Sequence, residues 1–477
     1  MITQYHRAGF PVLWLETAEP DRATAEISSG LVAEQVPAFT WDVLRGVLDA
    51  QRRPITGAGG DPVEALAWLG KASPEPCVLV CSLLHRYLTS AEVQQAILTG
   101  AGTWKASQRT LVILVPPGTR PPVEVERVVH VVEQALPTAA ELRQVAERVA
   151  TENEGITVPD PAAVGEALRG LTSAEAENVI ALAAVRDAGR VEACDVWAET
   201  ATAIRTASGG TLELRQGEGG FATLGGLEKL KAFSAAAARS PKSRGNVLLG
   251  VPGTGKTAFA LALGAEVELP VYLWDLGRLF GSLVGESEAA ARRTIRAIEA
   301  AGRCVLLIDE IEKGAAGMGG SSGDSGTTQR TMGTVLTWLS DRKPGGAYVI
   351  ATCNDVTKLP PEMTRAERWD ATFFVDLPSI VERETIYQIH AKTYGVKAPF
   401  DASLTDGWTG AEIRCLCRLT NMLDTTIAEA ASYVVPLSRS RGEEIRALRD
   451  WASGRCVPAS APAETPTKTR RIRSGAN

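Results

Sequence analysis

Short apolar runs alternate with helix-like stretches along the first 136 residues. Five runs have the length of buried strands: Val12–Leu15, Ala38–Trp41, Val78–Val80, Leu111–Val115 and Val128–Val132. Strands that are nearly continuous in apolar residues are typical of parallel sheets covered on both faces. The pattern therefore predicts an α/β domain over residues 1–136.

An Ala-rich stretch with helical periodicity follows over residues 137–207. The periodic segments are Ala139–Ala150, Pro161–Leu168 and Ser173–Val185. They predict a small helical subdomain packed on the first sheet. A Gly-rich break comes next, so residues 208–220 are predicted to be a linker.

A second α/β pattern begins after this break. Its predicted strands are Asn246–Gly250, Val271–Asp275, Cys304–Asp309, Tyr348–Thr352 and Thr372–Val375, and its predicted helices begin at Lys256, Ser287 and Thr328. This alternation predicts a second sheet covered by helices, over residues 221–378. Helical periodicity returns over residues 379–456, and the Pro/Ala/Ser/Thr-rich residues 457–477 are predicted to be a disordered tail.

Charge and cysteine content narrow the class of partner. The 56 acidic and 50 basic residues leave a net charge of -6, which gives no electrostatic sign of nucleic-acid binding, although a local basic channel is compatible with this average. The eight cysteines lack the spacing of metal sites, and no apolar run approaches the ~20 residues of a membrane span. We expect a cytoplasmic protein that binds neither nucleic acid nor membrane.

One loop has the full GxxxxGK[ST] pattern between a predicted strand and a predicted helix. It reads GVPGTGKT, and its glycines let backbone N–H groups turn toward phosphate at the positive end of the helix. A glycine-rich turn without nucleotide is the alternative, which the complete pattern disfavours. Lys256 is predicted to reach the β and γ phosphates, and Thr257 to ligate Mg²⁺. The predicted nucleotide-binding residues of this segment are Gly250, Val251, Pro252, Gly253, Thr254, Gly255, Lys256, Thr257 and Ala258.

Polar groups at the ends of the next strands are candidates for completing a phosphoryl-transfer site. Asp309 and Glu310 end a buried strand, where open α/β sheets bind ligands. We expect Asp309 to hold the magnesium shell and Glu310 to orient the attacking water; a capped helix start is the alternative. Asn354 ends the following strand and is predicted to sense or place that water, unless it only forms a turn with Asp355.

Two arginines are candidates for stabilising the developing charge from outside. Arg365 and Arg368 are spaced i and i+3 on a predicted short helix, and their planar forks suit phosphate oxygens. A surface ion pair with Glu362 or Glu367 is the alternative.

These segments resemble the AAA ATPase superfamily over roughly Phe221–Arg455, and within it the chloroplast-reading-frame (Ycf) type. The resemblance is carried by Leu224–Leu227, Gly250–Thr257, Gly277–Glu288, Ile308–Gly314, Leu336–Leu339, Leu359–Pro378, Thr409–Ile413, Val435–Ser438 and Trp451–Arg455. It implies a P-loop AAA domain with a helical lid that uses ATP/ADP and Mg²⁺. It also implies a ring, commonly a hexamer, in which Arg365 and Arg368 act on the neighbour's nucleotide. Gly225 and Gly226 are implied near the adenine, and Gly410 and Ala411 near the base and ribose.

The first half resembles the same group more weakly. Residues 16–22, where a P-loop would be expected, contain no Gly and no Lys. We therefore expect a degenerate AAA-like domain that binds no nucleotide.

Three functions are compatible with these features. The first is an oligomeric Mg-ATPase that remodels or regulates a protein client. The second is a nucleotide-gated scaffold with slow turnover, since Leu283 stands where threading motors of the family usually carry an aromatic residue. The third, a nucleic-acid motor, is disfavoured by the charge balance.

Overall fold

The chain forms two compact units, residues 1–200 and 201–477. The structure is a computed structural model, and it describes residues 2–72, 75–217, 219–280, 286–315, 325–342, 345–358 and 367–460. Each unit is built around one sheet, which follows from the two α/β patterns of the sequence.

The first unit is α/β followed by helices. Its strands are β1 (Val12–Glu16), β2 (Ala38–Asp42), β3 (Gly46–Leu48), β4 (Cys77–Ser82), β5 (Arg109–Val115) and β6 (Val129–Glu133). Its helices are α1 (Ile2–Arg7), α2 (Pro20–Val32), α3 (Pro62–Leu69), α4 (Ala91–Ala106), α5 (Ala139–Glu152), α6 (Pro161–Ala167), α7 (Ser173–Arg186) and α8 (Ala193–Ala207), the last of which crosses the boundary between the units.

The predicted parallel sheet is confirmed. Its order is β3-β2-β4-β5-β1-β6, and only the β2–β3 pair is antiparallel. Successive residues of β1 enter opposite cores, with Trp14 on one face and Leu15 on the other. Because both faces are covered, the central strands β1, β4 and β5 are buried along nearly their whole length.

The helical part of the first unit begins with well-capped helices. Thr138 and Glu141 form a capping box at the start of α5, and Thr172 and Glu175 form another at α7. Each box satisfies N–H groups that the first turn of a helix leaves free. Three of these helices match the predicted segments, and α8 is additional.

The second unit contains a seven-stranded sheet. Its strands are β7 (Leu212–Arg215), β8 (Gly245–Gly250), β9 (Val271–Trp274), β10 (Val305–Ile308), β11 (Tyr348–Cys353), β12 (Ala371–Val375) and β13 (Val457–Pro458). Its helices are α9 (Glu228–Arg239), α10 (Lys256–Glu266), α11 (Leu276–Phe280), α12 (Glu286–Ala301), α13 (Ile311–Ala315), α14 (Ser325–Asp341), α15 (Ile380–Tyr394), α16 (Gly410–Leu423), α17 (Ile427–Ala431), α18 (Leu437–Ser440) and α19 (Gly442–Ala452).

The strand order of this sheet is β13-β12-β8-β11-β10-β9-β7, and only β7 runs antiparallel to its neighbour. The carboxyl ends of β8, β10 and β11 therefore lie side by side at one edge. Open parallel sheets bind ligands at this edge.

Two boundaries differ from the sequence prediction. Part of the segment 208–220, predicted as a linker, is strand β7, because Leu212 is fully buried and its backbone pairs with β9. The predicted tail starts as strand β13 beside β12, and Leu230 donates its N–H to Ala459 O at 3.0 Å. Residues 461–477 lie outside the described residues.

Residues 379–456 form the helical lid, a name used below for these residues. The lid has its own core, which includes Ile386, Trp408 and Leu416. Among the described residues, every helix is too short or too polar to cross a membrane.

Candidate nucleotide-binding site

The loop between β8 and α10 needs its glycines for two different reasons. A Cβ on Gly250 would lie 2.0 Å from Val375 O of the neighbouring strand, so the close approach of backbones excludes a side chain. Gly255 precedes α10 with φ +95, in the left-handed region that favours glycine. The path of the loop into α10 therefore requires glycine at both positions.

Lys256 is the first residue of α10 and is only 6% exposed. Its Nζ donates to Gly250 O at 2.9 Å and to Val251 O at 2.8 Å. Burial lowers the pKa of Lys256 to about 8, against the opposing attraction of nearby Asp309 and Glu310. A desolvated cation inside the loop is suited to binding phosphate.

Thr257 and Asp309 join the loop to the end of β10. The Thr257 hydroxyl lies 3.0 Å from Asp309 Oδ1 and 3.2 Å from Oδ2, and Thr352 also donates to Oδ1. Mg²⁺ at phosphate sites takes one or two protein oxygens and completes its shell with phosphate and water. The adjacent hydroxyl and carboxylate fit that donor set. Within the described residues, no cluster of three or more His, Cys, Asp or Glu side chains offers a full metal cage.

Glu310 is held in a strained backbone conformation beside this pair. Its φ is +50, which is rare for a residue with a long side chain and costs about 1–3 kcal/mol. Its N–H donates to Thr352 Oγ1 at 2.9 Å, and its Oε1 accepts from Asn354 Nδ2 at 3.3 Å. Lys313 pairs with its other oxygen. The turn thus aims the carboxylate at the same edge as Lys256.

Asn354 is positioned by a carboxylate that the sequence analysis missed. Its N–H donates to Glu312 Oε1 at 3.0 Å, and Glu312 is 4% exposed. Buried acids are uncommon unless they are hydrogen-bonded. The available signal was the third acid in Asp309-Glu310-Ile311-Glu312, two residues beyond the predicted pair.

These groups surround a cavity of about 540 Å³. The predicted residues that line it are Gly225, Pro252, Gly253, Thr254, Gly255, Lys256, Thr257, Ala258, Asp309, Glu310, Asn354, Gly410 and Ala411. The lining residues that the sequence analysis did not select are Thr223, Leu224, Leu261, Thr352, Ile386, Ile389, His390 and Arg414. The cavity combines a polar wall, suited to phosphates, with apolar residues suited to a base.

Several predicted residues lie elsewhere. Of the described residues, Gly226, Gly250 and Val251 are absent from the cavity lining, although the carbonyl groups of Gly250 and Val251 bind Lys256. Arg368 also lies outside the lining, and its Nε donates to Ser340 Oγ at 2.8 Å. Arg365 and Leu283 fall outside the described residues. A second hollow of about 780 Å³ within the lid contains none of the predicted site residues.

Two family matches cover most of the two sheets. Residues 246–377 match the ATPase family associated with various cellular activities (AAA), and residues 1–134 match the SpoVK-like AAA ATPase N-terminal domain. The first match contains the P-loop, Asp309, Glu310 and Asn354. The second ends one residue after β6.

Two relatives are similar to this chain along nearly its full length. The uncharacterized AAA domain-containing protein ycf46 of Guillardia theta is 29% identical over 94% of this chain and 93% of that protein. The Trieres chinensis protein of the same name is 28% identical over 95% of this chain and 97% of that protein.

A more distant similarity is confined to part of the chain. The ATP-dependent zinc metalloprotease FtsH 2 of Bdellovibrio bacteriovorus is 30% identical over 42% of this chain and 33% of that protein. Together with the site geometry, these matches show that the chain carries an AAA ATPase domain at residues 246–377, preceded by a SpoVK-like AAA N-terminal domain at residues 1–134.

Proposed function

We propose that the second unit binds ATP with Mg²⁺ and hydrolyses it to ADP and phosphate. The observation that carries this proposal is the meeting of Lys256, the Thr257–Asp309 pair and the Glu310–Asn354 pair at one sheet edge, around a cavity of suitable size. Phosphoryl transfer to water requires these tasks of binding, metal ligation and water orientation. Bound Mg²⁺ would offset charge on the phosphate oxygens.

The chain's own groups divide the chemistry. Lys256 holds the phosphates by charge, while the N–H groups of the loop and the start of α10 add fixed dipoles. Glu310 accepts a hydrogen bond from the attacking water, and Asn354 fixes the orientation of that carboxylate. Thr257 and Asp309 present the metal ligands.

We further propose that the active form is a ring, commonly a hexamer in this family, in which Arg365 and Arg368 complete a neighbour's site. Support comes from the position of Arg368, which lies outside the cavity lining of its own chain. An arginine supplied in trans is worth roughly 10³–10⁵ in rate.

Mixed oligomers test this arrangement. An Arg365→Ala/Arg368→Ala chain still binds ATP, and a Lys256→Ala chain still supplies arginines. Mixing the two inactive variants should restore part of the hydrolysis at mixed interfaces. Mixed oligomers that form and remain inactive would contradict action in trans.

We propose remodelling or regulation of a protein client as the purpose of the cycle, with a nucleotide-gated scaffold as the second candidate. The sequence feature that favours the scaffold is Leu283, since an aromatic ring buries more surface at low rotamer cost than leucine. An unfolding assay on a stably folded, tagged reporter separates the two. ATP-dependent unfolding that Leu283→Ala abolishes would support threading, whereas nucleotide-dependent assembly without unfolding would support the scaffold.

A further inference from the structure

The C-terminal strand of the second unit ends against the lid. Strand β13 pairs with β12 through Phe373 and Phe374, and Ala459 accepts the N–H of Leu230. One residue later, the Ser460 hydroxyl donates to Glu382 Oε1. The end of this segment therefore contacts a carboxylate on the first helix of the lid.

Glu382 joins three parts of the chain through its two oxygens. Its Oε2 accepts from Ser379 N at 2.8 Å and closes the capping box of α15. Its Oε1 accepts from Leu227 N at 3.3 Å and from Ser460 Oγ. Burial alone would raise the pKa of Glu382, but the hydrogen bonds from Ser460, Ser379 and Leu227 hold that pKa below its ordinary value. The carboxylate is thus ionised at neutral pH, and its bonds are charge-assisted.

These bonds lie directly behind the apolar part of the cavity. Leu224, Gly225 and Ile386 line the cavity. A Cβ on Gly225 would lie 2.9 Å from Ile386 N, so the Leu224–Leu227 turn packs against the backbone of α15. Gly226 has φ +74, which favours glycine, and a Cβ there would lie 2.6 Å from Glu382 Oε1, so a larger residue would displace that carboxylate. The turn and the helix are therefore held together at Glu382.

We propose that Glu382 is a positioning residue for nucleotide binding. Its carboxylate, held by Ser460 of the C-terminal segment, keeps the Leu224–Gly225 wall and the Ile386 wall at the separation that receives the base. The inference rests on the proposed nucleotide binding. It adds a structural element, the C-terminal segment, that lies outside residues 246–377 matched by the AAA family.

Glu382→Gln tests the role with little damage to the helix. Glutamine also closes a capping box, so its single oxygen can still serve Ser379 N. Leu227 N and Ser460 Oγ then lose their charged acceptor. In the full chain with Mg²⁺, the Kd for ATP should rise about tenfold, as expected when a bond to a charged group is lost. The KM for ATP should rise in parallel, while kcat stays within about threefold because Lys256, Asp309 and Glu310 are untouched.

Ser460→Ala and a matched control complete the design. Ser460→Ala removes one donor from the same carboxylate, so it should raise the Kd for ATP about threefold. The double variant should bind no more weakly than Glu382→Gln, because both changes remove one interaction. Glu175→Gln alters the equivalent capping-box acid of α7 in the other unit, and it should leave the Kd unchanged.

The outcomes are distinguishable. A Kd within twofold of wild type in folded Glu382→Gln overturns the positioning role, and so does a fall in kcat with no change in KM. If Glu382→Gln does not fold, Ser460→Ala decides by the same criterion. A wild-type chain that binds no ATP overturns the proposed function, and with it this inference.

Discussion

The two sheets share a strand order, but different residues follow the carboxyl ends of their equivalent strands. In the first unit the order is β6-β1-β5-β4-β2 with antiparallel β3 at the edge, and in the second it is β12-β8-β11-β10-β9 with antiparallel β7 at the edge. The second sheet continues on one side with β13. The equivalent strand ends can therefore be compared directly.

The turn after the first strand differs in length and in charge. Five residues, 251–255, separate β8 from α10, whereas three residues, 17–19, separate β1 from α2. In the shorter turn, Glu19 accepts from Ser173 N of α7 at 2.5 Å and pairs with Arg22 at 2.7 Å. The first unit thus holds its own carboxylate where the second has the loop that we propose binds phosphate.

The turns after β4 and β10, the third parallel strands of the two units, have different side chains but the same backbone conformation. Leu83 follows β4 with φ +58, and Glu310 occupies the corresponding place after β10 with φ +50. Ser82 stands where the second unit has Asp309. The two turns therefore share a left-handed backbone conformation and differ in whether carboxylates stand on it.

The largest expected effect is on ATP affinity, and it distinguishes Lys256 of α10 from Arg22, the first basic residue of α2. Lys256→Ala should abolish detectable ATP binding, because it removes the buried cation from the loop. Arg22→Ala, near the start of α2, should leave ATP affinity unchanged. Isothermal titration of both full-length variants is the measurement. Loss of affinity in the Arg22 variant would mean that the first unit also binds nucleotide.

The second effect is on kcat, and it compares Glu310 with Leu83, the residue of positive φ at the equivalent position of the first unit. Glu310→Gln should lower kcat by about 10²–10⁴, the range for losing a group that activates water, with little change in ATP affinity. Leu83→Gln introduces the same side chain at the equivalent, exposed position of the first unit. It should leave kcat unchanged. Steady-state phosphate release gives both values, and equal rates in wild type and Glu310→Gln would exclude Glu310 from the chemistry.

Periodicity and the P-loop pattern were sufficient to predict both sheets and the polar wall of the site. Strands β8 and β10 are buried throughout and lead directly into motif residues, so their position follows from local sequence. Strand β7 and the ordered start of the tail were missed, because short edge segments owe their structure to pairing with a distant strand. His390 and Arg414 were missed for a related reason, because only tertiary packing brings these lid residues to the cavity. Glu312 was missed although it lies two residues beyond Glu310 in the same acidic segment.

A smaller effect concerns the contribution of the Glu19 carboxylate to the stability of the first unit. Glu19 is 8% exposed, and Glu19→Ala removes the acceptor of Ser173 N and of Arg22 Nε, while Arg22 keeps its bonds to Glu26 and Ala135 O. The free energy of unfolding of the first unit should fall by about 1–3 kcal/mol, which is the cost of leaving buried polar groups unsatisfied. Hydrogen exchange at the first turn of α7 measures the loss locally. Asp21→Ala, an exposed neighbour on α2, is the control, and equal protection in the two variants would show that Glu19 does not hold α7.

The smallest effect is a pH dependence of the Kd for ATP, which we expect from Lys256 of the second unit. Burial lowers the pKa of Lys256 from 10.5 to about 8, so the nucleotide-free chain loses this cation as pH rises through 8. Phosphates favour the charged lysine, so binding above pH 8 must take up a proton, and affinity falls with rising pH. The Kd for ATP should be about tenfold higher at pH 9 than at pH 7.

The nucleotide-free fold should instead gain stability between pH 8 and 10.5, because the unfolded chain keeps the proton longer. Lys256→Arg is the control, since arginine stays charged throughout and should give a nearly constant Kd. A wild-type Kd that is equally flat would show that Lys256 does not titrate in this range.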